Sequence, residues 1–232
     1  ERVEKMTRST KIYFLAVLIL ISTTIGYAVL TKYSFTGDYN LSKIREQYDL
    51  ENFMYSNNEE SIYFNNSINS LDELEKNSDL IVKVQSLNDS ILFYNSIETP
   101  VKIIDIYSSN DNLKKGDIIY IQEPVSISYL KNMENITSIR GYVLMNPDQE
   151  YILFLKHLDK VDGYKYKNNE EITYLPVSTR FGKYCKEESP KYIDPLQIDS
   201  GEIYYRDFKN SSAVFIDNEE LMKYNSVSLQ VY

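Results

Sequence analysis

The chain has 232 residues, a formal net charge of −9, and one histidine and one cysteine. A single Cys excludes an intrachain disulfide framework, and a single His leaves little for His-based metal sites or triad catalysis. An acidic balance opposes nucleic acid and anionic lipid headgroups as partners.

Met6 opens the stretch MTRSTK, and residues 1–5 are expected to be an upstream extension of the native start. Ile12 to Leu30, IYFLAVLILISTTIGYAVL, then runs for nineteen residues without a charge. As a helix at ~1.5 Å per residue it covers the ~30 Å hydrocarbon core of a bilayer. Lipid offers the backbone no hydrogen-bond partners, so the stretch is expected to be a helix, with the hydroxyls of Ser22, Thr23 and Thr24 bonding back to the preceding turn. Arg2, Lys5, Arg8 and Lys11 precede it, and Lys32 is the only base after it before Lys43. This asymmetry predicts a cytoplasmic N-terminus and an exported remainder. The first 32 residues carry five bases and two acids, so the exported part has a charge of −12. The alternative is a signal peptide cleaved at Gly26-Tyr27-Ala28, which would release the rest near Ala28.

Residues 31–69 are polar and weakly patterned, a juxtamembrane spacer in which Leu41, Ile44, Tyr48 and Phe53 are spaced like one face of a short helix. Ser70-Leu71-Asp72-Glu73 has the capping-box form and starts a helix over Leu71–Lys76. Strands are predicted at Leu80–Leu87, Ile91–Tyr94, Pro100–Tyr107, Ile118–Gln122, Gly141–Met145 and Glu150–Lys156, separated by turns such as Lys114–Asp117 and Asn146-Pro147-Asp148. Residues 124–140 read as a longer loop or an edge. Tyr164–Lys167 and Ile172–Val177 read as a hairpin. In the tail, Glu202–Phe208 and Ala213–Ile216 are candidate strands, and Asp217 or Asn218 caps a helix through Tyr224. Short strands at close spacing predict an all-β barrel or sandwich with one or two short helices.

The order SLDELEKNSDLIVKV, a V-x-I-x-D-I-Y strand, LKKGDIIYI, GYVLM and EYILFLK resembles a group of uncharacterised exported proteins of Gram-positive bacteria. It also resembles the five-stranded OB barrel of netrin-type inhibitor domains, which carry cysteines that this chain lacks. The resemblance covers about residues 70–185 and implies an OB-like barrel there; it brings no site residue with it. The domain plan is thus a basic cytoplasmic tail (1–11), a transmembrane signal-anchor helix (12–30), the spacer (31–69), the OB-like β-barrel (70–185) and a C-terminal extension of β plus short helix (186–232).

No catalytic, cofactor or metal residue is expected. His157 reads as a strand-end surface histidine and Cys185 as a small, partly buried residue. The paired carboxylates Glu59/Glu60, Glu170/Glu171, Glu187/Glu188 and Glu219/Glu220 are adjacent, whereas glycosidase chemistry needs two carboxyls facing across a cleft. Asp159, Asp162 and Gly163 lack the remainder of a calcium loop. The expected function is a membrane-anchored, extracytoplasmic, non-catalytic module that binds another envelope or surface protein, with Tyr129 and Met133 in the 124–140 loop as candidate contacts. The alternatives are an inhibitor or immunity-type protein, secreted or anchored, and a wall hydrolase working through acidic residues alone.

Overall fold

The computed structural model describes residues 8–35, 52–56, 63–93, 96–130, 133–158, 160, 162–167, 169–200 and 203–232. They divide into two compact units, one within Glu1–Asp38 and one within Tyr39–Tyr232.

The first unit contains α1 (Arg8–Phe35), which extends the predicted apolar run at both ends. Its Arg8–Val29 portion is long and apolar enough to cross a membrane, and none of that surface is buried by protein. Thr23 Oγ1 donates to the carbonyls of Ile19 and Leu20 at 3.0 and 2.9 Å, and Thr24 Oγ1 to that of Leu20 at 2.6 Å. The Thr23 and Thr24 hydroxyls are therefore satisfied within the helix, as an apolar environment demands.

The second unit is built on a closed barrel of five strands, β2 (Leu80–Ser86), β4 (Ser96–Ser109), β5 (Ile118–Glu123), β8 (Glu150–His157) and β9 (Thr173–Pro176). Around the barrel the order is β2-β4-β5-β9-β8 and back to β2. The β5–β9 contact is parallel and the others are antiparallel. Within the barrel β4 pairs with β5 through its first half and with β2 through its second. Two register shifts in the β2–β4 ladder bend it around the barrel. A short β3 (Ile91–Phe93) pairs with the start of β4. Alternation along β2 and β8 sends Leu80, Val82, Val84, Tyr151, Leu153 and Leu155 into the barrel interior, beside Val101, Ile103, Ile119 and Ile121. Ile81, Ile152 and Phe154 point outward.

That outward face is covered. Here α2 (Leu71–Asn77) and α4 (Asn218–Val231) supply Leu74, Tyr224 and Val227, and β12 (Ser211–Phe215) supplies Ala213 and Phe215. Residues 186–232 thus build part of the core. Both helix caps are as predicted, Ser70 accepting from Glu73 N and Asp217 from Glu219 N, but α4 continues seven residues past Tyr224. β12 pairs in parallel with β11 (Ser189–Tyr192), which the short α3 (Pro195–Ser200) follows.

Five expectations need correction. Residues 124–140 are not a loop: β6 (Val125–Leu130) and β7 (Met133–Ile139) form an antiparallel hairpin. Its alternating Val125, Ile127 and Ile136 enter a third apolar cluster with Tyr142, Val143, Leu144, Tyr205 and Phe208. Phe53, placed on a helix face, lies in β1 (Asn52–Ser56), a parallel partner of β7; Leu41, Ile44 and Tyr48 lie outside the described residues. Tyr164–Lys167 is not a strand, so β9 pairs with β5 and β8 rather than in a local hairpin. Around the predicted Glu202–Phe208 strand, the described part contains a short 3-10 turn over Tyr205–Asp207. Gly141–Met145 is likewise no strand and makes a single bridge, Tyr142 to Ala213.

Candidate functional site

Tyr129 and Met133, the predicted contacts, stand opposite neighbouring positions at the far end of the hairpin, where Tyr129 pairs with Glu134 and Leu130 with Met133. They belong to paired strands, one on each arm.

His157 is half-buried rather than a surface residue. Its ring lies 4.3 Å from the Tyr174 ring and 5.7 Å from that of Tyr166. Its Nε2 is 3.8 Å from Asp111 Oδ2, which also accepts from the Tyr174 hydroxyl at 2.6 Å. Cys185 is 5 % exposed, and burial pushes its thiol upward in pKa, which makes it a poor nucleophile. The acidic pairs are engaged locally. Glu170 accepts from the Tyr164 hydroxyl and Lys167 N, Glu219 pairs with Lys223 at 2.9 Å, and Glu220 bridges Arg140 and Arg180. Glu59 and Glu60 lie outside the described residues, as does Asp159 of the partial calcium loop. Among the described residues no group of three or more His, Cys, Asp or Glu is placed to hold a metal.

The most unusual chemistry sits where sequence reasoning did not look. β5 ends on Glu123, which follows Ile119 and Ile121 on the inward face and is fully buried. Thr99 Oγ1 donates to its Oε1 at 2.5 Å, and Met145 N donates to its Oε2 at 2.8 Å. Thr99 is joined in turn to Ser90, hydroxyl to hydroxyl at 3.0 Å. Across the same space Lys183 of β10 (Lys183–Tyr184), also buried, donates from Nζ to the Val143 carbonyl. Its Nζ lies 4.5 Å from the centre of the Tyr142 ring and 5.3 Å from that of Tyr151, within cation–π range. Beyond it, Glu188 Oε1 accepts from the Tyr151 hydroxyl at 2.9 Å and from Asn146 Nδ2 at 2.7 Å.

These groups substitute for a missing ladder. Past the two paired positions of β5 and β9, Glu123 at the end of β5 and Lys183 of β10 both bond to residues 142–145, where side chains satisfy three of the backbone groups. Ser138 Oγ serves the Tyr142 carbonyl at 2.6 Å, Lys183 that of Val143, and Glu123 the amide of Met145. This accounts for the failed strand prediction, because a buried backbone group must find a partner but not necessarily another strand. Burial raises the Glu123 pKa, against the pull of Lys183 and the Thr99 and Met145 donors, and it lowers that of Lys183. The Tyr142 hydroxyl is held up by burial and by the neighbouring Glu123 charge. One signal was legible in the sequence: period-two alternation along IIYIQE puts Glu123 inside. The role of Lys183 depends on residues forty positions away.

A groove of about 220 Å³ lies between α2 and α4, lined by Asn69, Asp72, Lys223 and Gln230 among others. It is smaller than the pockets of ~300 Å³ or more that hold small ligands. Compared with known proteins, the chain matches no family model, no curated protein and no solved structure.

Proposed function

We propose that this protein is a single-pass membrane protein, N-terminus inside, whose exported part is an OB-like module that binds another envelope protein without catalysis. The observation that carries the proposal is α1, an apolar helix uncovered by protein, on a chain whose remainder folds as a separate compact unit. Arg8 and Lys11 in its first turns, with Arg2 and Lys5 ahead, favour the inward N-terminus. The helix continues through Ala28 to Phe35, longer than the apolar core of a cleaved signal.

The OB-like reading is supported by a five-stranded barrel closed in Greek-key order. Binding barrels of that type use the face of their second and third strands, here β4 and β5. That face pairs Glu98 with Gln122, Pro100 with Tyr120 and Lys102 with Ile118 across the strands. Lys102 and Ile118 are exposed there, while Gln122 Nε2 donates to Glu98 Oε2 at 2.7 Å. In the dry end of the barrel, Glu123 and Lys183 hold backbone rather than facing a cleft, which favours binding over hydrolysis.

The test is photo-crosslinking in cells from position 118, with position 222 on α4 as control, followed by intact mass of the membrane and medium fractions. One discrete envelope-protein adduct from position 118 alone, on uncleaved protein in the membrane, is the expected result. Release into the medium at a mass beginning after Ala28 would overturn the anchor, and equal crosslinking from both positions would overturn the binding face.

A further inference from the structure

The barrel seam carries a chain of three side chains from near the surface to a dry carboxyl. Ser90, 9 % exposed, lies in the connection after β2; Thr99 and Glu123 are fully buried. The two links are 3.0 and 2.5 Å, and in the first either hydroxyl can donate. The chain is therefore satisfied in two polarities. With Glu123 ionised, Ser90 donates to Thr99 and Thr99 to Glu123. With Glu123 protonated, its hydroxyl donates to Thr99, Thr99 to Ser90, and Ser90 outward.

We infer that Ser90, Thr99 and Glu123 form a proton relay serving a pH-operated clasp: residues 142–145 are held closed when Glu123 takes up a proton and loosen when Glu123 releases it. In the uptake step a solvent proton joins Ser90 Oγ, the Ser90 proton passes to Thr99 Oγ1, and the Thr99 proton passes to Glu123 Oε1. One proton enters, one carboxylate becomes a neutral acid, and no heavy-atom bond changes.

The direction follows from solvation. An ionised carboxylate out of water is costly unless it is paired and fully bonded. Glu123 accepts two hydrogen bonds, the Tyr142 hydroxyl beside it also favours the ionised form, and among the described residues no cation lies within ion-pair distance of it. The groups facing it are Thr99 from β4, Ser90 from the preceding connection, Tyr142 and the Met145 amide from 142–145, and Lys183 from β10. Behind Lys183 stand Tyr151, Cys185 and Glu188. Lys183 favours the ionised form at longer range, and burial opposes it more strongly. Loosening 142–145 lets water reach the carboxylate, so ionisation favours the looser seam. What it frees is specific: Ser138 of β7 holds the Tyr142 carbonyl, so the β6–β7 hairpin moves with this segment.

The test is amide hydrogen exchange by mass spectrometry on the full-length protein in detergent micelles, at about pH 5 and about pH 8, corrected for intrinsic exchange. Peptides covering 142–145 and the hairpin are expected to exchange more slowly at the lower pH after that correction. Peptides of β8 should not change. Glu123→Gln, whose amide can donate to Thr99 and accept from Met145 N, should be slow at both values. Thr99→Val keeps the carboxyl but removes a donor to its ionised form, so the midpoint should move to higher pH. Equal exchange of the wild-type seam at both values, a step that persists in Glu123→Gln, or an unmoved midpoint in Thr99→Val would each overturn the clasp.

Discussion

Gly182 shows how a single residue closes the barrel. A Cβ there would lie 2.5 Å from the Ser178 carbonyl oxygen and 2.9 Å from Pro176 Cβ, closer than real Cβ atoms come. The chain must turn tightly here because β9 and β10 lie in succession along the same edge of β8. Gly182→Ala is expected to destabilise the fold by about 2 kcal/mol through overpacking, read as a lower urea midpoint with an unchanged m-value. For Glu123 and Lys183 the relevant measurement is a double-mutant cycle. Lys183→Met leaves the Val143 carbonyl without its donor and removes the longer-range positive charge facing Glu123, at a cost of about 2 kcal/mol. In combination with Glu123→Gln the cost should be less than additive, and strict additivity would show that the two groups do not interact. The pH dependence has a defined sign. Burial holds the folded-state pKa of Glu123 above its ordinary value, so its stabilising contribution is fully present below the ordinary carboxylate range and is lost as pH rises through the folded value. Wild-type stability should fall across that window more than that of Glu123→Gln.

Among the elements, the helices were the most legible because their signals are local. Ser70 accepts from Glu73 N, and Glu73 reaches back to Asn69 N at 3.1 Å, one position outside the expected reciprocal partner. Asp217 accepts from Glu219 N at 2.7 Å. Replacing either cap by Ala should cost about 1 kcal/mol, and only the Asp217 variant should loosen the Tyr224 packing against Tyr184, seen as a change in near-ultraviolet circular dichroism. The β6–β7 hairpin was illegible for a different reason. VSISYL and MENITSI alternate Ile and Val with Ser, Thr and Asn, a half-buried pattern whose apolar half is weak. Residues of β1, Tyr142–Leu144 and the C-terminal segment complete the cluster it packs into. Nothing within the hairpin marks those partners.

In the second unit as a whole, three apolar clusters replace the disulfides that the composition excludes. One fills the barrel, one lies under α4 and one under the hairpin. Leu153, fully buried in the barrel, is expected to cost about 3 kcal/mol when cut to Ala, from lost transfer energy and the cavity left behind. Cys185 reports on the same cooperativity. It lies in the barrel cluster, so a thiol reagent should modify it only at the rate of global opening and with the wild-type urea dependence. Fast labelling in the native protein would mean that the β10 end opens independently of the barrel.

Sequence alone determined the features that depend on neighbours along the chain: the apolar helix, its charge asymmetry, both helix caps, the Gly116 and Asp148 turns, and the short apolar runs between turns that name the barrel strands. These follow from backbone propensity, periodicity and transfer from water, each of which acts within a few residues. Tertiary structure alone decided which strand lies beside which, and it alone made residues 142–145 a backbone held by side chains. Pairing joins positions far apart in the chain, as β5 to β9, and no local signal carries a partner's address. The predicted strand stopped at Gln122, one residue short of Glu123, and Lys183 carried no signal beyond its charge. Only the closed barrel brings them to opposite sides of one segment, where leaving water gives each its altered chemistry.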